Sequence, residues 1–335
     1  MSARFYIKQA DPRPYRETIT ELWHQFLPGT PASRFEWLYN QNIIWLFAYA
    51  SSSNDFAGCI SILPRFFFCN GTKYRCGILG DFIIPKRYQV FGPAKMLPQY
   101  AAQNHLNLGF DYLYTVPNKA SLKLIESSGF FEYRQIARLV RPLDIHHFIS
   151  KYTDNLLINK FVYLLNRLYL KSCFNWSNIN RFSFSFSKPD LNEYHSLWKS
   201  VMLRGDLTIG DRSKDHFQWK YINNPTQNYH FISISENDTL RGILIYHLQK
   251  KHMYVDDIIC KHRYGTFLLL SKLINIGKKL GLVAITYETI QLDRRLFYLD
   301  LLGFLETDDL LPIMVYPKFR LPSTNLIFNP SDRNI

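Results

Sequence analysis

An internal repeat constrains this chain more than any other feature of its sequence. The first half contains Phe35-Glu36-Trp37-Leu38-Tyr39, and the second half contains Phe217-Gln218-Trp219-Lys220-Tyr221. Both segments read F-x-W-x-Y, both precede an Asn-containing turn, and each follows a Leu-Trp pair. A pattern that recurs at a long period indicates duplicated structural units, so two similar domains are predicted.

Further landmarks recur in the same order and set the domain boundaries. Asp81-Phe82-Ile83-Ile84 matches Asp257-Ile258-Ile259-Cys260, and Gly129-Phe130 matches Gly303-Phe304. We predict an N-terminal domain over 1–145, a linker over 146–180, a C-terminal domain over 181–320 and a tail over 321–335. The length of 335 residues agrees with this division, because one domain usually takes roughly 100–200 residues.

Each half has the pattern helix, strand, hairpin, strand, helix, strand, helix, strand. Asn70-Gly71 lies between two alternating runs and is a strong signal for a two-residue hairpin turn. Strands that alternate with helices predict an α/β protein, in which each domain has a central mixed sheet flanked by helices.

The composition limits the kinds of partner. The net charge of +13 favours anionic partners such as a CoA pyrophosphate, a nucleotide-sugar, RNA or an acidic membrane. No Lys/Arg run has the length of a nucleic-acid-binding tail, so a nucleic acid is not the expected partner. The cysteine count is five, without a C-x-x-C pair, and no H-E-x-x-H motif occurs, so no metal site is predicted.

The sequence also carries predictions about location. The first residues lack the apolar core of a signal peptide. Lys160, Asn166 and Arg167 interrupt the most apolar run, 156–170, which is shorter than the ~20 residues that a membrane span needs. We predict an amphipathic helix there that packs on the protein itself, with contact to a membrane surface as the alternative. A cytoplasmic location is therefore expected.

An anion site is predicted around Gly92. Pro93 is a favoured first residue of a helix, and the free N–H groups of a helix start bind anions. Gly92 lets a phosphate approach the backbone closely. Lys86 and Arg87 add positive charge beside this segment.

These residues resemble the pyrophosphate loop of the GNAT superfamily of acyl-CoA N-acyltransferases, Q/R-x-x-G-x-G/A. Gln89-Val90-Phe91-Gly92-Pro93-Ala94 fits that loop, and Asn118-Lys119-Ala120-Ser121 followed by Gly129-Phe130 is similar to the family's second signature. The resemblance implies two tandem GNAT-like domains and acetyl-CoA or another acyl-CoA as co-substrate, bound where strands four and five separate. The residues that it assigns to acyl-CoA are Phe82, Ile83, Ile84, Lys86, Arg87, Gln89, Val90, Phe91, Gly92, Pro93, Ala94, Asn118 and Ser121.

The resemblance also implies a mechanism, from which this sequence departs at one position. Backbone N–H groups at the end of the Asp81–Ile84 strand would polarise the thioester carbonyl, and an amine would attack it directly. Asp81 is the candidate base, although a structural role in a turn is the competing interpretation. Family members place a Tyr acid where this chain has Ile125; Tyr88, Tyr114 or Tyr133 would substitute for it.

The second half departs further from the family pattern. Its loop is reduced to the segment from Lys261 to Thr266, so the second domain is expected to form a wall of the acceptor cleft and not to bind CoA. Three functions stay open. The first is N-acyl transfer to a small or amino-sugar-like amine, as in bacterial surface-polysaccharide pathways. The others are aminoacyl-tRNA-dependent transfer of the peptidoglycan type and a non-catalytic binding role.

Overall fold

The fold was analysed in a computed structural model that describes residues 4–27, 29–89, 92–144, 181–204, 207–290, 296–318, 326–328 and 330–333. The predicted linker and most of the tail lie outside these residues. Among the described residues, no helix combines the length and the apolar character that crossing a membrane requires.

In the part of the chain that the structure describes, fourteen strands form one sheet. They are β1 (Phe5–Gln9), β2 (Ile44–Ala50), β3 (Phe56–Cys69), β4 (Thr72–Ile83), β5 (Tyr112–Thr115), β6 (Phe131–Pro142), β7 (Phe182–Ser185), β8 (Thr208–Gly210), β9 (Tyr229–Glu236), β10 (Thr239–Gln249), β11 (His252–Cys260), β12 (Ala284–Ile290), β13 (Leu305–Tyr316) and β14 (Leu326–Ile327).

The helices follow the same order in both halves. They are α1 (Arg16–Phe26), α2 (Ser33–Tyr39), α3 (Pro93–Gln103), α4 (Lys119–Ser127), α5 (Leu191–Met202), α6 (Lys214–Phe217), α7 (Arg263–Lys279) and α8 (Leu296–Leu301). A π-helical turn, Gln218–Ile222, continues α6 through the second F-x-W-x-Y segment. The predicted α/β fold with a mixed sheet and helices is therefore confirmed.

The two halves exchange their last strands. The strand order is β1-β2-β3-β4-β5-β13-β6-β12-β11-β10-β9-β7. Thus β13 of the second half lies between β5 and β6, and β6 of the first half lies between β13 and β12. Each half completes the sheet of the other, while the predicted domain boundaries stay a prediction.

The repeated tryptophans meet where the halves join. The rings of Trp37 and Trp219 stack with centroids 4.7 Å apart and an interplanar angle of 13°. Each indole N–H donates to the backbone carbonyl of the other residue, at 2.9 Å from Trp37 and 3.3 Å from Trp219. The F-x-W-x-Y repeat therefore forms a reciprocal contact between the halves.

Two short sequence signals correctly predicted local structure near the site, namely the turn between β3 and β4 and the start of α3. Asn70 and Gly71 have φ values of 49° and 79°, as the two central residues of a hairpin turn of this kind require, and they connect β3 to β4. Helix α3 begins at Pro93. It also continues through Pro98, which is buried within the helix.

Candidate active site

A wedge opens between β4 and β5 in the first half. The two strands are parallel, and their last paired residues are Ile78 and Tyr114. Just beyond this pair, the Thr115 hydroxyl donates to the Leu79 carbonyl at 3.4 Å. Strand β5 ends there, while β4 continues to Ile83, so the wedge lies where the resemblance implied it.

A bulge marks β4 beside the wedge. Gly80 pairs with Ser61 and Ile83 pairs with Cys59, so two residues of β4 oppose one residue of β3. Asp81 takes φ of 42° at this point, a conformation that Asp adopts more readily than most residues. A bulge re-aims side chains and interrupts the regular ladder.

The bulge directs the Asp81 carboxylate into a set of donors. It accepts from the Trp23 indole at 3.1 Å, from Arg34 at 2.8 Å and from the Ser61 hydroxyl at 2.9 Å. The Asp81 side chain is 1 % exposed and that of Arg34 is 4 % exposed. This geometry favours a structural role for Asp81, as a buried acceptor of three hydrogen bonds, over a role as the catalytic base.

The start of α3 forms the floor of the predicted anion site. Gly92 is the N-cap with φ of 105°, in the left-handed region that favours glycine. A β-carbon added at Gly92 would meet no atom within 4 Å, so the backbone is open to a ligand. Val90 and Phe91 lie outside the described residues, while Pro93 and Ala94 form the first turn of α3.

The other predicted residues of this loop surround the helix start. Lys86 and Arg87 are exposed on a 3-10 turn, and Arg87 lies 4.0 Å from the Asp55 carboxylate. The Gln89 amide donates to the Ile84 carbonyl at 3.2 Å, which ties the loop to the end of β4.

The side chains at the end of β4 belong to the core. Ile83 and Ile84 are buried, and Phe82 packs against the cluster beneath α3. A β-carbon at Gly58 would lie 2.4 Å from the Ile84 side chain, so glycine permits this close packing. These three residues can therefore offer a ligand their backbone groups more readily than their side chains.

Asn118 and Ser121 form a helix cap. The Asn118 side chain accepts from the Ser121 backbone N–H at 2.9 Å and from its hydroxyl at 3.0 Å. These bonds fix the start of α4. The second signature therefore has a structural role here, and its predicted contact with acyl-CoA stays a prediction.

The candidate acids occupy different environments. Tyr88 packs edge-on against Phe5, and its hydroxyl donates to Asp55 at 3.3 Å. The buried Tyr114 hydroxyl donates to the Asp332 carbonyl at 2.7 Å. Tyr133 is half-buried on β6, and burial raises the pKa of its phenol. Ile125 is the buried residue of α4 and belongs to the hydrophobic core.

A buried ionic network between the halves was not predicted. Arg212 contacts both Asp332 oxygens at 2.6 Å and Asp257 at 2.5 Å. Arg65 contacts the His216 imidazole at 2.5 Å, and burial lowers the pKa of this histidine well below its usual value. The sequence did signal Asp257, because it occupies the position in the second repeat that Asp81 occupies in the first. That match did not identify Arg212 as its partner.

Within the described residues of the second half, the start of α7 does not repeat the anion-site geometry of the first half. Helix α7 begins at Arg263 after His262, whose φ is −132°. Gly265 lies inside the helix, and a β-carbon there would lie 2.3 Å from the Cys260 sulfur. This glycine serves packing and does not open the backbone. Among the described residues, no group of three or more His, Cys, Asp or Glu could hold a metal ion.

A protein-family model matches most of the first half of the chain. Residues 7–130 match the model of the acetyltransferase (GNAT) family. This segment is therefore similar to a GNAT domain, and the match supports an acyltransferase enzyme. A search of curated proteins finds no match.

Solved structures share the fold over nearly the whole chain. A GCN5-related N-acetyltransferase from Anabaena variabilis is 14% identical, with a TM-score of 0.65, over 93% of this chain and 72% of that one. A probable N-acyltransferase from Enterococcus faecalis is 10% identical, with a TM-score of 0.68, over 93% and 71%. N-myristoyltransferase from Saccharomyces cerevisiae, solved with myristoyl-CoA, is 10% identical, with a TM-score of 0.61, over 94% and 83%.

Proposed function

We propose that this protein transfers an acyl group from acyl-CoA to the amine of a small or amino-sugar-like acceptor. One observation carries the proposal: the wedge beyond Ile78 and Tyr114 lies next to a helix start whose N-cap, Gly92, is open. A helix N-terminus favours phosphate, and Lys86 and Arg87 add charge. The pyrophosphate of CoA would lie on this loop, with the pantetheine arm in the wedge.

The chemistry is direct transfer. The neutral amine of the acceptor forms a bond to the thioester carbonyl carbon, and the carbon–sulfur bond breaks. Backbone N–H groups at the end of β4 would stabilise the oxyanion. Tyr133 is our candidate acid for the leaving thiolate, because its raised pKa keeps the phenol protonated. The nitrogen of the product loses its extra proton to water.

A calorimetric titration with acetyl-CoA and longer acyl-CoAs tests the proposal. Gly92→Glu places bulk and negative charge on the proposed pyrophosphate seat, and we expect it to weaken binding at least a hundredfold. Gly281→Glu is the matched control: Gly281 also has positive φ, 63°, and no atom within 4 Å of an added β-carbon. It belongs to the second half, so binding should persist.

Turnover is then measured as release of free CoA in the presence of amino sugars and small amines. Binding that Gly92→Glu abolishes and Gly281→Glu retains supports the proposal. If the wild-type protein binds no acyl-CoA, the proposal is wrong, and aminoacyl-tRNA becomes the first donor to test.

A further inference from the structure

An apolar cavity of about 40 Å³ lies on the sheet face opposite α3. Its lining includes Cys76, Tyr114, Tyr133, Ile313, Val315 and Phe328. Both halves contribute, since β13 supplies Ile313 and Val315 and the segment after β14 supplies Phe328. The cavity is therefore closed by the same strand exchange that joins the halves.

The cavity reaches the level at which the wedge opens. Tyr114 belongs to the last paired position of β4 and β5. Met314 lies opposite Thr115, so Ile313 is one residue beyond the end of β5. The residues that line the cavity run from Tyr112 on β5 to Ile313 on β13. Its upper end adjoins the place where the thioester would lie.

We propose that this cavity receives the acyl chain of the co-substrate and selects butanoyl or pentanoyl over acetyl. This inference rests on the proposed function. A water-sized group needs roughly 10–15 Å³ on the same scale, so about 40 Å³ holds three or four such groups. Butanoyl and pentanoyl have three and four carbons beyond the carbonyl. A tetradecanoyl chain is far too long for this space.

The test is a comparison of acyl-CoAs from acetyl to octanoyl by calorimetry and by turnover. Each buried methylene should strengthen binding about fourfold, so butanoyl-CoA should bind about fifteenfold more tightly than acetyl-CoA. Affinity should fall again beyond pentanoyl. Preference for acetyl-CoA, or affinity that rises continuously to octanoyl, would overturn the assignment while the proposed function stands.

Two variants change the size of the cavity in opposite directions. Val315→Phe fills it and should lower the butanoyl-to-acetyl ratio at least tenfold. Ile313→Ala enlarges it and should move the optimum one or two carbons longer, so the test survives if one variant does not fold. Met314→Phe is the matched control, because Met314 is buried in the cluster on the other face of β13, and it should leave the ratio unchanged.

The outcomes separate the two proposals. Absence of binding for every acyl-CoA removes both the proposed function and this inference. Binding with a chain-length profile that neither Val315→Phe nor Ile313→Ala shifts removes only the inference. A shift in the direction of the cavity change, with Met314→Phe unaltered, supports it.

Discussion

The Asp81 carboxylate is buried beneath the wedge among the donors of Trp23, Arg34 and Ser61. Asp81→Asn would remove a negative charge that pairs with the buried Arg34 guanidinium. Breaking such a pair from one side costs about 3 kcal/mol or more. We therefore expect urea denaturation to give a free energy of unfolding about 3 kcal/mol lower for this variant.

Asp238→Asn is the control for this change. Asp238 also has positive φ, 58°, but it is exposed in a turn, so the substitution should change stability by less than about 0.5 kcal/mol. If Asp81→Asn instead kept the wild-type stability and lost turnover with an altered pH profile, Asp81 would be the base after all.

Lys220 gives the buried network a pH dependence. Burial and the nearby Arg65 lower its pKa from 10.5 to about 7. The unfolded chain therefore binds this proton more strongly between pH 7 and 10.5, and stability rises with pH across that window. Below pH 7 the full cost of burying the charge is present, and above pH 10.5 it is absent.

Lys220→Met removes this contribution. At pH 7 the variant should be more stable than the wild type, and its advantage should shrink by about 2 kcal/mol between pH 7 and pH 9. Urea denaturation at each pH measures the difference. Lys199→Met, at an exposed lysine of α5, should leave the pH dependence unchanged. An advantage that stays constant with pH would mean that Lys220 keeps its charge throughout this range.

At the scale of elements, α2 and the π-helical turn meet through Trp37 and Trp219. Stacked aromatic pairs contribute about 0.5–1.5 kcal/mol beyond the area they bury, and this pair also exchanges two hydrogen bonds. A double-mutant cycle with Trp37→Leu and Trp219→Leu should therefore give a coupling of about 1–2 kcal/mol. Phe5→Leu with Trp219→Leu should be additive, because Phe5 lies in the cluster of the other sheet face. Additivity in the tryptophan cycle would contradict a stabilising contact.

Elements that depend on short-range signals could be predicted from the sequence. Asn70-Gly71 specified its hairpin, and Pro93 specified the start of α3, because both act through local backbone conformation. The partner of β13 could not be predicted, since its alternating pattern is the same whichever strand it pairs with. The ion pair of Arg212 with Asp332 depends on that same long-range arrangement.

At the scale of the whole molecule, the exchange of β6 and β13 makes the halves depend on each other. Without β13, β5 would have an open edge and β6 would have no neighbour on the side of the first half. An unpaired, apolar edge promotes aggregation. We expect a fragment of residues 1–145 to be insoluble or to lack cooperative unfolding, although it contains the GNAT domain match.

Co-expression of residues 1–145 with residues 146–335 should restore the shared sheet. The two fragments should copurify and unfold together in a single urea transition, followed by both tryptophan fluorescence and circular dichroism. The full chain should also unfold in a single transition. The reason is that β6 and β13 each pair on both sides with strands of the other half, so neither half can unfold by itself. If the fragment of residues 1–145 folded by itself with a sigmoidal transition, the first half would be an autonomous domain and the proposed acyl-CoA site would not require the second half. If only the paired fragments fold, the second half contributes β13 to the sheet beside the wedge, and substitutions in β13 should alter acyl-CoA binding from outside the GNAT domain.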